Sequence, residues 1–217
     1  MRAKAIRPLS VLLLVLLMAF PAAGADDFDR LRRDASRISS LSADFVQKKS
    51  MKILSKPLVS TGKFFYAAPD SIRWEYVKPI RSVVISEKGA SKRYIASGGK
   101  MIEDKTGGAQ AMKIVLDEVA GWMKGKFTAN PTFTASVHEG PETVIVLTPT
   151  GKNMAGMIEK IEITVSRKDA VVKTVRIVEG AAAETRIDFL HTAETRIDFL
   201  HTAVNPALPP GTFQDIP

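Results

Sequence analysis

The sequence predicts a mainly β protein with some helix, built as an antiparallel meander. Three observations predict it. From Ala43 onward, apolar and polar residues alternate with period two in short runs. Turn residues punctuate those runs at Lys56-Pro57, Pro69-Asp70, Lys78-Pro79, Lys88-Gly89 and Gly98-Gly99. The helical period takes over only twice, before the first strand and midway along the chain, which is not the regular alternation of βαβ units.

The chain opens with Arg2, Lys4 and Arg7, an apolar run from Val11 to Phe20, then Pro21 and Ala23-Gly24-Ala25. A basic start, a short apolar stretch and small residues at a cleavage position read as a secretory signal peptide over residues 1–25, cut after Ala25. The run is short for a membrane-spanning helix and close to the cleavage position, which favours a cleaved signal over an uncleaved anchor. Residues 26–217 then form one domain, long enough for a real core. Cys is absent, so stability must come from burial rather than disulfides. The formal charge is +8, of which the signal peptide holds three bases and no acid, leaving +5. Lys and Arg are scattered, which argues against nucleic acid as a partner.

Asp26–Ile38 is predicted helical. Phe28, Leu31, Ala35 and Ile38 fall on one stripe, and Asp26, Asp27 and Asp29 suit the positive end of the helix dipole. Strands are expected at Ala43–Lys49, Leu58–Ala67, Ile72–Val77, Ser82–Glu87, Lys92–Ala96 and Lys100–Glu103. The second and third form a hairpin around Pro69-Asp70, a pair that presets the turn. Alternate side chains share a face, so Phe64 and Tyr66 point one way, as do Ile72, Trp74 and Tyr76. If the arms pair in register, one face carries four aromatics and an isoleucine. Residue types alone fit either a core hairpin or the wall of an apolar pocket. Arg73 and Glu75 take the opposite face, which suits water.

Ala109–Met123 is predicted as an inserted helix, with Met112, Val115, Leu116, Val119, Trp122 and Met123 on a broad apolar arc. It either plugs one end of the sheet or covers a ligand site, for which flexible thioethers are suited. Asp117 and Glu118 fall on its polar side, as a solvated face. Strands resume at Phe127–Ala129, Phe133–His138, Thr143–Thr148, Met157–Ser166 and Val171–Glu179. Residues 183–192 are then repeated without change as 193–202. Ten is an even number, so both copies keep the same in-out parity. One copy is expected to pair in the sheet and the other to bulge or extend past it. The tail is Pro-rich, with Phe213 as its anchor.

No catalytic constellation is present. The three histidines, His138, His191 and His201, have no metal-ligand spacing, and no nucleophile or phosphate-loop motif occurs. The sequence is therefore read as non-enzymatic, with no cofactor and no metal. Export, an aromatic sheet face and a Met-rich helix point instead to binding an apolar ligand.

The order and spacing of several segments resemble the LolA family of periplasmic lipoprotein carriers. They are Leu41-Ser42-Ala43-Asp44-Phe45-Val46-Gln47, Gly62-Lys63-Phe64-Phe65-Tyr66, Ala68-Pro69 with Ile72-Arg73-Trp74-Glu75-Tyr76, Val146-Leu147-Thr148-Pro149, Thr195-Arg196-Ile197-Asp198-Phe199 and Asn205-Pro206 with Phe213. The resemblance implies an incomplete antiparallel β-barrel, a LolA/LppX-like half-barrel of about a dozen strands under a helical lid. It implies an acyl-chain cavity with Phe64, Tyr66, Ile72 and Trp74 on the wall and Met112, Leu116 and Val119 on the lid. The implied partners are the acyl chains of lipoproteins, an inner-membrane ABC-type lipoprotein-releasing complex and an outer-membrane acceptor, with the carrier a periplasmic monomer. The family often has an Arg just before the turn proline, where it bonds the lid; this chain has Ala68. The alternatives implied by the same fold are a carrier of another lipid in a biosynthesis or export pathway, or an RseB-like lipid-sensing module.

Overall fold

The alternating segments pair into one open sheet of eleven antiparallel strands, not closed into a barrel. The computed structural model describes residues 23–51, 54–105, 116, 118–122, 124–126, 131–151, 155, 158–179, 193–214 and 216. Residues 1–22 of the expected signal peptide, Met112, the expected strand Phe127–Ala129 and the first repeat copy at 183–192 lie outside the described residues.

Helix α1 spans Ala23–Ser36. Leu31 and Ala35 on its stripe are buried, as is Ile38 just beyond it. The strands are β1 Ser40–Met51, β2 Leu58–Ala67, β3 Ser71–Lys78, β4 Ser82–Glu87, β5 Ala90–Ser97, β6 Lys100–Glu103, β7 Phe133–His138, β8 Thr143–Pro149, β9 Ile158–Val165, β10 Val172–Glu179 and β11 Ala193–Val204. Two meanders, β1 to β6 and β7 to β10, are joined where β11 inserts between β1 and β10. Their inward side chains form one hydrophobic cluster with Leu31, Ala35, Leu116, Val119 and Trp122. The helices therefore rest on the concave side of the sheet.

The β2–β3 hairpin pairs Phe64 with Trp74 and Tyr66 with Ile72, and Gly62 stands opposite Tyr76 across a bulge at Thr61. The expected aromatic face is thereby formed. The reverse face is not the solvated one expected. Arg73 and Glu75 are 7% and 9% exposed, because the C-terminal tail crosses them and the Thr212 carbonyl accepts a hydrogen bond from Arg73 Nη1 at 3.2 Å. Glu75 pairs with both guanidiniums, bonded by Arg73 Nη2 at 2.9 Å and Arg81 Nη2 at 3.3 Å. A buried charge is tolerated only when paired in this way.

Of the repeat, the second copy occupies the sheet as β11. It pairs with β10 from Glu179↔Ala193 to Thr174↔Asp198, so residues 180–192 connect the two strands. Excising either copy produces the same polypeptide, in which only Gly180, Ala181 and Ala182 separate Glu179 from the strand. Three residues including a glycine is an ordinary hairpin loop. Shortening the connection about fourfold lowers its closure cost by about 1 kcal/mol. The excised protein is expected to melt at the same temperature or a few degrees higher; a clearly lower melting temperature would show that the extra copy contributes to the fold.

Candidate functional site

The concave face is organised around five aromatic rings drawn from four strands. Phe45 lies 4.9 Å from Trp74 and 5.3 Å from Tyr76, centroid to centroid, and Phe64 lies 5.5 Å from Trp74 and 5.7 Å from Phe199. These tilted and edge-on contacts are the favoured aromatic geometries. Phe45 and Phe199 are direct register partners across β1 and β11. Gly62 makes the cluster possible. It is the β2 partner of Phe45, and a Cβ there would collide with the Phe45 ring and the Glu75 carbonyl oxygen.

The polar atoms of this face are few. The Tyr76 hydroxyl donates to Gln47 Oε1 at 2.8 Å. Burial pushes its pKa above the ordinary phenol range, against smaller opposing effects of Trp74, Arg93 and Gln47. Burial also raises Tyr66, with the nearby charge of Asp70 adding to it. Both phenols are therefore neutral at physiological pH. The Trp74 indole N–H acts weakly on Tyr76 but makes no hydrogen bond of acceptable geometry, leaving a buried donor unpaired among the described residues. Such a group costs about 1–3 kcal/mol.

The helical residues 116 and 118–122 cover this face. Leu116, Val119 and Trp122 are all buried, at 0%, 5% and 2% exposure. The helix ends in a Schellman arrangement. Lys126 N–H bonds the Gly121 carbonyl at 2.8 Å and Gly125 N–H bonds that of Trp122 at 2.9 Å, with Gly125 at φ +71°. A Cβ on Gly125 would stand 2.5 Å from the Arg32 carbonyl oxygen, so the same glycine lets the cover abut α1.

Between cover and sheet lies an apolar cavity of about 40 Å³. Its walls include Phe64, Trp74, Val119, Trp122, Phe133 and Phe199. That volume is close to one water's share of liquid, so little space stands open between cover and sheet. Three of the residues named from sequence, Phe64, Trp74 and Val119, line the cavity; Tyr66, Ile72 and Leu116 are packed in the surrounding core. Met112 is outside the described residues. Glu118, expected in water, is partly buried and borders the cavity. Phe45, Trp122, Phe133 and Phe199 are not among the cavity residues expected from sequence. Their alternation or helical arc was visible, but not the pairing that gathers them. Ala68 is exposed and contributes only its backbone, bonding N–H to the Ser39 carbonyl at 2.8 Å.

The profile of the LolA family, described as outer membrane lipoprotein carrier protein LolA, matches residues 36–214. The chain belongs to the LolA family. No match was found among curated protein sequences. Among solved structures the LolA-like chain is similar to a DUF1329 family protein from Desulfovibrio piger, with 11% identity, a TM-score of 0.46, and coverage of 88% of this chain and 96% of that one. It is also similar to the MucA/MucB complex of Pseudomonas aeruginosa, with 15% identity, a TM-score of 0.47, and coverage of 89% and 61%. A LolA superfamily protein from Nitrosomonas europaea matches with 8% identity, a TM-score of 0.41, and coverage of 86% and 97%.

Proposed function

We propose that this LolA-family chain is a periplasmic carrier that shelters the acyl chains of lipoproteins between inner and outer membrane. The observation that carries the reading is the apolar cavity between cover and sheet. It is walled by aromatic and aliphatic side chains of the sheet and covered by Val119 and Trp122 of the helical segment, with Glu118 at its border. About 40 Å³ cannot hold an acyl chain, so loading requires the cover to lift. Each CH₂ then buried is worth about 0.8 kcal/mol, which offsets the broken contacts. Phe64, Tyr66, Ile72 and Trp74 serve as the wall, and Met112, Leu116 and Val119 as the lid. The unpaired Trp74 N–H is suited to an ester or amide carbonyl at the head of a chain. No residue needs to perform chemistry, and the whole of 26–217 acts as one exported domain after cleavage at Ala25. The proposed partners are an inner-membrane ABC-type releasing complex and an outer-membrane acceptor.

The exposed Ala68 favours a second version of the same reading, a carrier of another lipid whose lid is held without the arginine latch. Lipid mass spectrometry on protein purified from the periplasm, together with release of lipoproteins from spheroplasts, tests both. Lipoprotein release supports the first version, and a co-purified free lipid without release supports the second. Absence of both acyl cargo and release would overturn the carrier reading.

A further inference from the structure

The two long edges of the sheet differ in charge and polarity. In the first meander the β1–β2 connection, the β3–β4 turn and the β5–β6 turn all fall on one rim, since the strands run antiparallel. The opposite rim carries the β2–β3 and β4–β5 turns. Five of the eight exposed large hydrophobic side chains among the described residues gather at the first rim: Leu54, Leu58, Val59, Val77 and Ile80, with Ile80 65% exposed. Exposed apolar groups concentrated in this way mark a contact surface.

The bases accompany them. Lys56, Lys78 and Lys100 are exposed at or next to this rim and have no ion-pair partner among the described residues. Lys49 and Arg81 are there too, paired to Glu179 and Glu75. The sequence holds no acid over 45–69, 76–86 or 88–102. The acids of this meander lie elsewhere. Asp44 and Glu75 are within strands, and Asp70, Glu87, Glu103 and Asp104 are at or towards the opposite rim. Further along the first rim, Glu194, Glu179 and Glu159 belong to β11, β10 and β9, so the basic character is confined to the first meander.

We propose that this rim docks on the surface of an anionic phospholipid bilayer, with Leu54 and Ile80 reaching the boundary of the acyl region and the lysines meeting the headgroups. Apolar tips ringed by bases, with acids excluded, are the chemistry of peripheral membrane attachment. The rim also carries one end of the cavity. Ile158 is the partner of Glu179, which is the partner of Ala193, itself opposite Met51, and Ile158 lines the cavity. Docking would place that end against the lipid surface. The proposal does not depend on acyl uptake, because the surface is separate from the wall and the cover.

Protein expressed from the full sequence, as the cell delivers it, is sedimented with vesicles of phosphatidylethanolamine and phosphatidylglycerol. Binding is expected, weakening as salt rises, and much lower with phosphatidylcholine vesicles. Ile80→Asp, and separately the pair Lys56→Glu and Lys78→Glu, should each lower the bound fraction by about tenfold, whereas Val204→Asp at the opposite rim should not. These exposed positions leave the core intact, and an acyl-probe assay on the same variants reports the cavity independently. Binding that is insensitive to the rim variants or to lipid charge would overturn the proposal. So would a self-association that Ile80→Asp abolishes without any vesicle binding, which assigns the rim to a second copy. Stoichiometric capture of a protein through the rim, again without vesicle binding, would count against it equally.

Discussion

Replacing Gly62 by valine is expected to remove more than about 3 kcal/mol of folding stability, a large share of what a domain possesses. The position is buried in β2, opposite Phe45 on one side and Tyr76 on the other. The Phe45 ring occupies the space a side chain would need, and the first obstruction is the backbone carbonyl of Glu75. A flexible side chain could turn aside, but a carbonyl within the β2–β3 ladder cannot move without opening the hairpin. Opening it separates Phe64 from Trp74, breaks the five-ring cluster and exposes the buried Arg73–Glu75 pair. Even alanine meets the same oxygen and should cost a smaller but clear amount. Gly140→Ala is the control, since an added Cβ there comes no closer than 3.6 Å to other atoms. Denaturant melts of the three variants decide the matter. A Gly62→Val protein melting within a few degrees of the parent would show that the cluster does not depend on this close approach.

The same hairpin shows where a sequence is legible and where it is not. Leu58–Ala67, Ser82–Glu87, Lys100–Glu103 and Phe133–His138 emerge with the expected limits, because period-two alternation and turn residues are local signals. The facing of Phe64, Tyr66, Ile72 and Trp74 follows from parity and a tight turn, again local. Arg73 and Glu75 share that parity logic and are correctly placed on the reverse face, but their burial depends on Thr212, far along the chain. The meeting of Phe45 with Phe199 depends on β11 crossing back to β1, a register that nothing near either residue encodes. The repeat made that harder, since two identical stretches offered the same parity and only the pairing singles out residues 193–202. Glu118 illustrates a different limit. A helical wheel divides polar from apolar faces, but Glu118 on the polar edge of the cover lies beside the cavity rather than in open water.

Truncating the lid and truncating the wall are expected to change ligand affinity in opposite directions. Trp122 is 2% exposed and lines the cavity from the cover. Trp122→Ala should cost the closed form about 3–5 kcal/mol, the usual range for removing a buried tryptophan. Because the cover rests on the sheet and is not part of its hydrogen-bonded ladder, part of that loss should appear as local opening instead of global unfolding. Amide exchange of residues 118–122 would accelerate more than that of the sheet strands. In the proposed mechanism the closed form excludes the ligand, so the apparent affinity is reduced by the fraction of protein that is open. Weakening the closed form therefore tightens acyl-probe binding. Phe64 belongs to the sheet and stays in contact with the ligand in either state, so Phe64→Ala should weaken binding while also lowering stability. A fixed pocket makes a different prediction, in which both truncations remove contacts and both weaken binding. Titration of a fluorescent fatty acid into the two variants separates the cases. Tighter binding by Trp122→Ala with weaker binding by Phe64→Ala identifies a lid that must be lifted, and a loss in both would sink that mechanism while leaving the apolar site itself in place.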